Sequence, residues 1–210
     1  MLLLLLLLAL PALQPLLSRN LTCGYDNVFH LWRAVEVGAL LRQGVLFSRW
    51  APHMAHGYGY PLFLFQAPLS ALLAAGLNLV GLPWPLALNA TYGLGLLLSG
   101  LTLGLLAREM WGESGGWVAV VAFLYAPFHA YVAFYRASLS ETLAWGFPPL
   151  VLWGLRRWQR WGERRGLAAA VLGLVALMLT HDVSAYAFFP LFLGWTLAVA
   201  LGEPGQAPRR

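Results

Sequence analysis

No lysine occurs in this sequence, cysteine occurs once, and only 10% of residues are charged while 60% are hydrophobic. Each scarcity excludes something. Soluble domains carry charge on about a quarter of their residues, so a chain this apolar reads as an integral membrane protein. The lone Cys23 rules out an internal disulfide and any cysteine-based metal site, and it leaves the redox compartment unread. All the positive side chains are arginine, and five of the 13 lie in RRWQRWGERRG. The net charge of +5 therefore marks the topology of loops, with no nucleic-acid partner implied. No soluble stretch is long enough to form a second domain. No internal repeat is visible, which together with the few intramembrane charges disfavours a transporter. The opening leucine run has no basic flank and carries Pro11 and Pro15, so it reads as a retained first span and not a cleaved signal.

What is present is a series of apolar runs at residues 2–17, 60–82, 85–107, 116–135, 139–155, 167–180 and 183–201. Lipid forces such runs to be helical, and a spanning helix needs about 20 apolar residues. The expected fold is an all-α, polytopic bundle of about six or seven apolar helices in one membrane domain, 1–210. Within it, 1–18 is the first span, 19–59 an external loop with an amphipathic helix, 85–201 a five-helix bundle and 202–210 a tail. By the positive-inside rule RRWQRWGERRG is cytoplasmic, and a C-terminus ending in Arg209 and Arg210 agrees with it. Residues 60–82 create a parity conflict: if they cross, the first loop is cytoplasmic. Pro61, Pro68, Gly76 and Asn78 interrupt them, so an interfacial or re-entrant course, with the loop external, is the preferred reading.

That topology puts three polar turns on one face. In GYDNVFHLWR, Asp26, His30 and Arg33 follow i, i+4, i+7 spacing and share one helix face, opposite Val28, Leu31, Trp32 and Val35. A plainer alternative makes Asp26 an N-cap, His30 a solvated residue and Arg33 an interfacial anchor. In YRASLSE, Arg136 and Glu141 bracket a turn in which Ser138 or Ser140 could cap the next helix. In LTHDVSAY, His181 and Asp182 lie between short apolar runs, with Asp182 alternatively a cap for the last helix. Convergence of such turns is what a site requires. His53 and His56 have a gap compatible with metal ligation but no third ligand, so no metal is indicated, and no cofactor is called for.

The stretches GYDNVFHLWRAVEVGALLRQG, FSRWAPHMAHGYGYPLFLFQAPL, YRASLSETLAWGFPPLVLWGL and LTHDVSAY, in that order, resemble the bacterial membrane proteins known as 6-pyruvoyl-tetrahydropterin synthase-related, a label that implies no pterin chemistry. These in turn are distantly similar to the C-type glycosyltransferase superfamily, with its protein mannosyltransferases and aminoarabinose transferases. The resemblance covers roughly residues 20 to 200. It implies an inverting transfer, outside the cytoplasm, from a polyprenyl-phosphate sugar to an acceptor. Asp26 matches the catalytic carboxylate and Glu141 the second acidic position. Arg33, Arg136 or Arg49 would hold the departing phosphate, and His30, Tyr58, Tyr60, His181 and Asp182 would line the substrate site. Two departures matter: the first loop has no Asp-x-Asp pair, and the superfamily's chains continue for several more spans, so a truncated member is expected. The alternative function is a non-catalytic membrane scaffold or lipid-binding partner, or an inactive fragment of such an enzyme. The resemblance implies the plasma membrane of a bacterium, so the lipid bilayer is the expected neighbour, and protein partners are left open.

Overall fold

The computed structural model describes residues 2–202, so the tail expected to be cytoplasmic lies almost wholly outside the described residues. Among them the chain is all-α, with a single isolated pairing, Ala51 to Tyr60, in place of any sheet. The helices are α1 (Leu2–Leu13), α2 (Asn27–Arg42), α3 (Leu62–Phe65), α4 (Leu69–Leu79), α5 (Trp84–Leu124), α6 (Pro127–Ala130), α7 (Leu139–Ala144), α8 (Phe147–Trp161), α9 (Arg164–Thr180) and α10 (Asp182–Gly202). Two of these, α5 and α10, are long and apolar enough to cross a membrane.

Backbone chemistry decides where the apolar runs break. Residues 60–82 become two short helices because Pro68 removes a donor between them, and α4 is about 16 Å long, half a hydrocarbon core. Side-chain bonds hold α4 at both ends: Ser70 Oγ is 2.7 Å from Ser140 Oγ, and Asn78 Oδ1 accepts from Arg42 at 2.6 Å. Pro127 ends the helix before it, and Pro148 and Pro149 sit in the first turn of α8, where their missing N–H groups cost nothing.

Two polar stretches that separate the apolar runs are mostly helical. REMWGESGG lies inside α5, whose helical geometry is interrupted only at Gly112, with φ 77° and ψ −175°. The chain reverses there, so a Cβ on Gly104 would meet Val120 and one on Gly116 would meet Arg108. RRWQRWGERRG narrows to Gly162 and Glu163, because Gly162 takes the left-handed conformation that ends α8 and donates to Trp158. The α8 and α9 hairpin that follows is close-packed: a Cβ on Gly154 would lie 2.5 Å from the Gly166 carbonyl oxygen and 2.7 Å from the Ala170 nitrogen.

Polar groups gather at two opposite ends of the bundle. At one, Glu109 pairs with Arg156 and Arg157 at 3.2 Å each, and Arg157 reaches Glu163 at 2.7 Å while lying over Trp153 and Trp161. Asp26, Arg136 and Glu141 meet at the other. The 15 residues of α8 and 17 of α9 separate the two ends by about 22 to 25 Å of helix rise.

The Gly154 contact gives a direct check on the packing. Gly154→Leu forces the α8 and α9 backbones apart and lowers stability by about 1–3 kcal/mol or more. Thermal unfolding of the detergent-purified protein measures it; an unchanged midpoint would show that these helices do not meet there.

Candidate functional site

Residues 20–26 have no helix of their own, and their backbone groups find partners elsewhere. The chain at Tyr131–Tyr135 is wound as a π-helix, with the Arg136 N–H donating five residues back to Tyr131 at 2.9 Å. Ala137, at φ 54°, then ends it. Ending a helix leaves its last carbonyls without partners. Those of Tyr135 and Arg136 accept from the N–H groups of Tyr25 and Asp26, at 3.0 and 2.9 Å. Gly24 permits the approach, because a Cβ there would coincide with the methyl of Ala137. Tyr92, buried in α5, completes the knot: its hydroxyl donates to the Ala137 carbonyl and lies 3.0 Å from Asn27 Oδ1.

On this frame Arg136 stands between two carboxylates. Its Nη1 donates to Glu141 Oε2 at 2.6 Å, and its Nε is 4.0 Å from Asp26 Oδ2. The Glu141 side chain is 11% exposed and that of Asp26 44%, so the pair is asymmetric. Glu141 is held by a short charge-assisted bond, whereas Asp26 is loosely held and open to solvent. Asp26 precedes α2 without capping it through its side chain.

His30 is buried, and its Nε2 accepts the Leu139 N–H at 3.1 Å. The histidine thus caps α7 from another helix, a task that the hydroxyls of Ser138 and Ser140 do not perform. Acceptance by Nε2 makes the ring neutral, with the proton on Nδ1. Burial, then the charges of Arg33, His181 and Arg136, lowers its pKa to about 3. His181 does the same for α10: its Nδ1 accepts the Ser184 N–H at 3.2 Å, with the Ser184 hydroxyl at 2.7 Å. Burial lowers its pKa, against the pull of Glu141 and Asp182. Asp182 is exposed and, among the described residues, accepts only from its neighbour, the Val183 N–H, at 3.0 Å. The polar stripe of α2 therefore faces into the protein, while Val28, Phe29 and Trp32 are exposed.

Arg33 differs from Arg136. Its guanidinium lies 4.2 Å from the centre of the Phe29 ring, its Nε is buried with no hydrogen-bond partner, and no carboxylate is within 4.0 Å of it among the described residues. Burial lowers its pKa while the charges of Asp26 and Tyr60 act the other way; a guanidinium stays cationic regardless. Of the expected site residues, Asp26, His30, Arg33, Tyr60, Arg136, Glu141 and His181 come together. Arg49 and Tyr58 do not: both are exposed on the 43–60 loop, and neither side chain has a partner among the described residues. Sequence reasoning passed over Glu36, whose buried carboxylate accepts from both the backbone N–H and Nδ1 of His53. A carboxylate set among valines in RAVEVGALL is the signal that could have found it. No group of three His, Cys, Asp or Glu side chains that could hold a metal ion occurs among the described residues.

No family model and no solved structure matches the chain. Over 191 residues it is 25% identical to an uncharacterized protein of Lactococcus lactis subsp. cremoris (strain MG1363), a match covering 87% of this chain and 31% of that protein. The chain spans about a third of the length of the curated relative it matches.

The two histidines set a pH dependence. Above about 6.5 both the folded and the unfolded imidazoles are neutral. As the pH falls, the unfolded ring of His30 takes a proton that the folded ring refuses down to about 3, so stability is full above about 6.5 and is lost progressively below it. Thermal unfolding in detergent at successive pH values should show that loss. His30→Gln, whose amide oxygen can accept the Leu139 N–H, should flatten the dependence, and His30→Leu should cost about 1–3 kcal/mol at neutral pH. An identical pH profile in wild type and His30→Gln would remove His30 from the account.

Proposed function

We propose that the chain is the membrane-embedded portion of a glycosyltransferase-like protein, transferring a sugar from a polyprenyl-phosphate donor to an acceptor hydroxyl outside the cytoplasm. The observation that carries this reading is the division of labour at the Asp26 end: one arginine is committed to carboxylates, and the other, Arg33, is left beside Asp26 without an anion. In the proposed step Asp26 takes the acceptor's proton while the acceptor oxygen bonds the anomeric carbon. The bond from that carbon to the phosphate oxygen breaks, and Arg33 receives the departing phosphate charge. Glu141 and Arg136 hold Asp26 in place as positioning residues, with His181 behind them.

The bare apolar surface of α10 supports the same reading. Only 11% of the apolar window of α10 is buried, and a 21-residue apolar helix left bare is at home in lipid, not in water. The proposed orientation puts the Arg156 and Arg157 end in the cytoplasm, where arginines and the Trp153, Trp158 and Trp161 rings make a typical interfacial belt. Six helical passes then join the two ends: α1, the two limbs of α5 with the second carried on through α6 and the π-helix, α7 with α8, α9, and α10. Residues 60–82 stay near the outer surface.

A second reading has an observation of its own. Arg136 with Glu141, and both histidines with helix amides, satisfy one another, as a purely structural staple would. A non-catalytic scaffold built on that staple is the alternative.

Two experiments separate these possibilities. Cys23 is exposed, three residues before Asp26, and is the only thiol, so a membrane-impermeant maleimide should label it on intact cells. Labelling confined to permeabilised cells, with the denatured protein shown to react, would reverse the orientation. For the chemistry, membranes carrying the chain are incubated with radiolabelled polyprenyl-phosphate sugars. Asp26→Asn should reduce transfer by about 10²–10⁴-fold with unchanged folding, as loss of a general base does. Transfer that survives Asp26→Asn refutes the base, and absence of transfer from every donor favours the scaffold.

A further inference from the structure

A second constellation lies on the same face of α2, one turn beyond Arg33. Glu36 is a carboxylate only 4% exposed, and its partners are all from one residue: the His53 backbone N–H at 3.2 Å and His53 Nδ1 at 3.1 and 3.2 Å from its two oxygens. The His53 side chain is itself 57% exposed. With Nδ1 donating to the carboxylate, the neutral ring carries its lone pair on Nε2, and that nitrogen has no partner among the described residues. A buried carboxylate that fixes an imidazole in this tautomer presents a hydrogen-bond acceptor of set direction. Holding the loop to the helix would require only the backbone N–H bond; the ring bond orients Nε2 as well.

His53 borders a groove of about 780 Å³ between α2 and the 53–60 loop. Its other walls include Phe29, Trp32, Met54 and Tyr60, and the one carboxylate among them is Glu36, which is already paired. No arginine among the described residues lines it, so a guanidinium partner for an anion is lacking. Exposed aromatic faces beside a directed acceptor suit a neutral ligand with apolar C–H faces and hydroxyl groups, which is the surface of a sugar. Phe29 belongs to both places, carrying the Arg33 guanidinium on its ring and forming one wall of the groove, so a ligand in the groove lies next to Arg33 and Asp26.

We infer that the groove between α2 and the 53–60 loop is a subsite for an uncharged saccharide, hydrogen-bonded through a hydroxyl to His53 Nε2 and stacked on Trp32 and Tyr60. As an assignment of the acceptor's place it rests on the transfer reading above; as a binding site it does not. The test is therefore a binding measurement without turnover. The purified protein in nanodiscs is photolabelled with an alkyl β-glucoside bearing a diazirine in its alkyl chain, in parallel with an alkyl phosphocholine carrying the same tail. Labelled peptides are mapped by mass spectrometry.

The glucoside should mark peptides from α2 and the 53–60 loop, competed by excess methyl glucoside, and the phosphocholine should not. His53→Phe keeps a ring while removing Nε2, and should cut that labelling about tenfold, the worth of one hydrogen bond. Should His53→Phe fail to fold, Trp32→Ala decides, because Trp32 is 58% exposed and its loss leaves the core intact; it should cut labelling to a similar degree. Equal labelling by both probes, or glucoside labelling indifferent to these substitutions, overturns the subsite. Specific labelling combined with transfer that survives Asp26→Asn keeps the subsite and removes only the base.

Discussion

Arg136 is the residue on which the rest of this end of the molecule depends. Its side chain neutralises Glu141, its carbonyl receives the N–H of Asp26, and its own N–H closes the π-helix on Tyr131. Three separate obligations meet in one residue. A carboxylate as enclosed as Glu141 is tolerated only beside a cation, and an irregular backbone segment such as 20–26 is tolerated among apolar helices only when its amides are paired. The π-turn meets the second requirement by leaving two carbonyls unclaimed, and Ala137 bears the left-handed backbone that results. Gly24 and Tyr92 then belong to the same structure, one by omitting a side chain and the other by reaching its carbonyl.

From that commitment follows the character of the surrounding groups. Burial, with the charge of Arg136 as a smaller contribution, keeps His30 and His181 from taking a proton, and both imidazoles act as helix caps. Because Glu141 takes the strong bond, Asp26 is left half exposed with a loose one. Arg33, stacked on Phe29 and with no carboxylate within 4.0 Å among the described residues, is the cation that α2 still offers beside this cluster. The proposed chemistry uses only what this arrangement leaves over.

Much of this was legible in the sequence, and the reasons differ by element. The all-α character followed from composition, since lipid-compatible runs have no alternative. The grouping of Asp26, His30 and Arg33 followed from helical periodicity, and that of Arg136 with Glu141 from the shortness of the turn between them. The task of His30 was not legible, because a capping bond between residues 109 positions apart leaves no local pattern. Gly24 and Ala137 were invisible for the same reason, their contact being set by two distant backbones. Loop lengths were misjudged at Gly112 and Gly162, where a single glycine turns the chain and arginine-rich flanks remain helical. Arg49 and Tyr58 were grouped with the site because the family resemblance runs through their segment, yet both are exposed on a loop that other residues tie to α2, Val45 through the Leu40 carbonyl and His53 through Glu36. Glu36 was overlooked because its partner is 17 residues away, beyond any helical register.

The central claim is that the two arginines differ in kind, Arg136 holding the structure and Arg33 receiving an anion. Equilibrium binding of farnesyl phosphate to the nanodisc-embedded protein, measured for wild type, Arg33→Gln and Arg136→Gln together with each variant's thermal midpoint, tests it most directly. The account predicts that Arg33→Gln weakens binding about tenfold or more at an unchanged midpoint, the loss of a charge-assisted phosphate contact, while Arg136→Gln lowers the midpoint sharply. Undiminished binding by Arg33→Gln, or a stable Arg136→Gln that has lost binding, would contradict it.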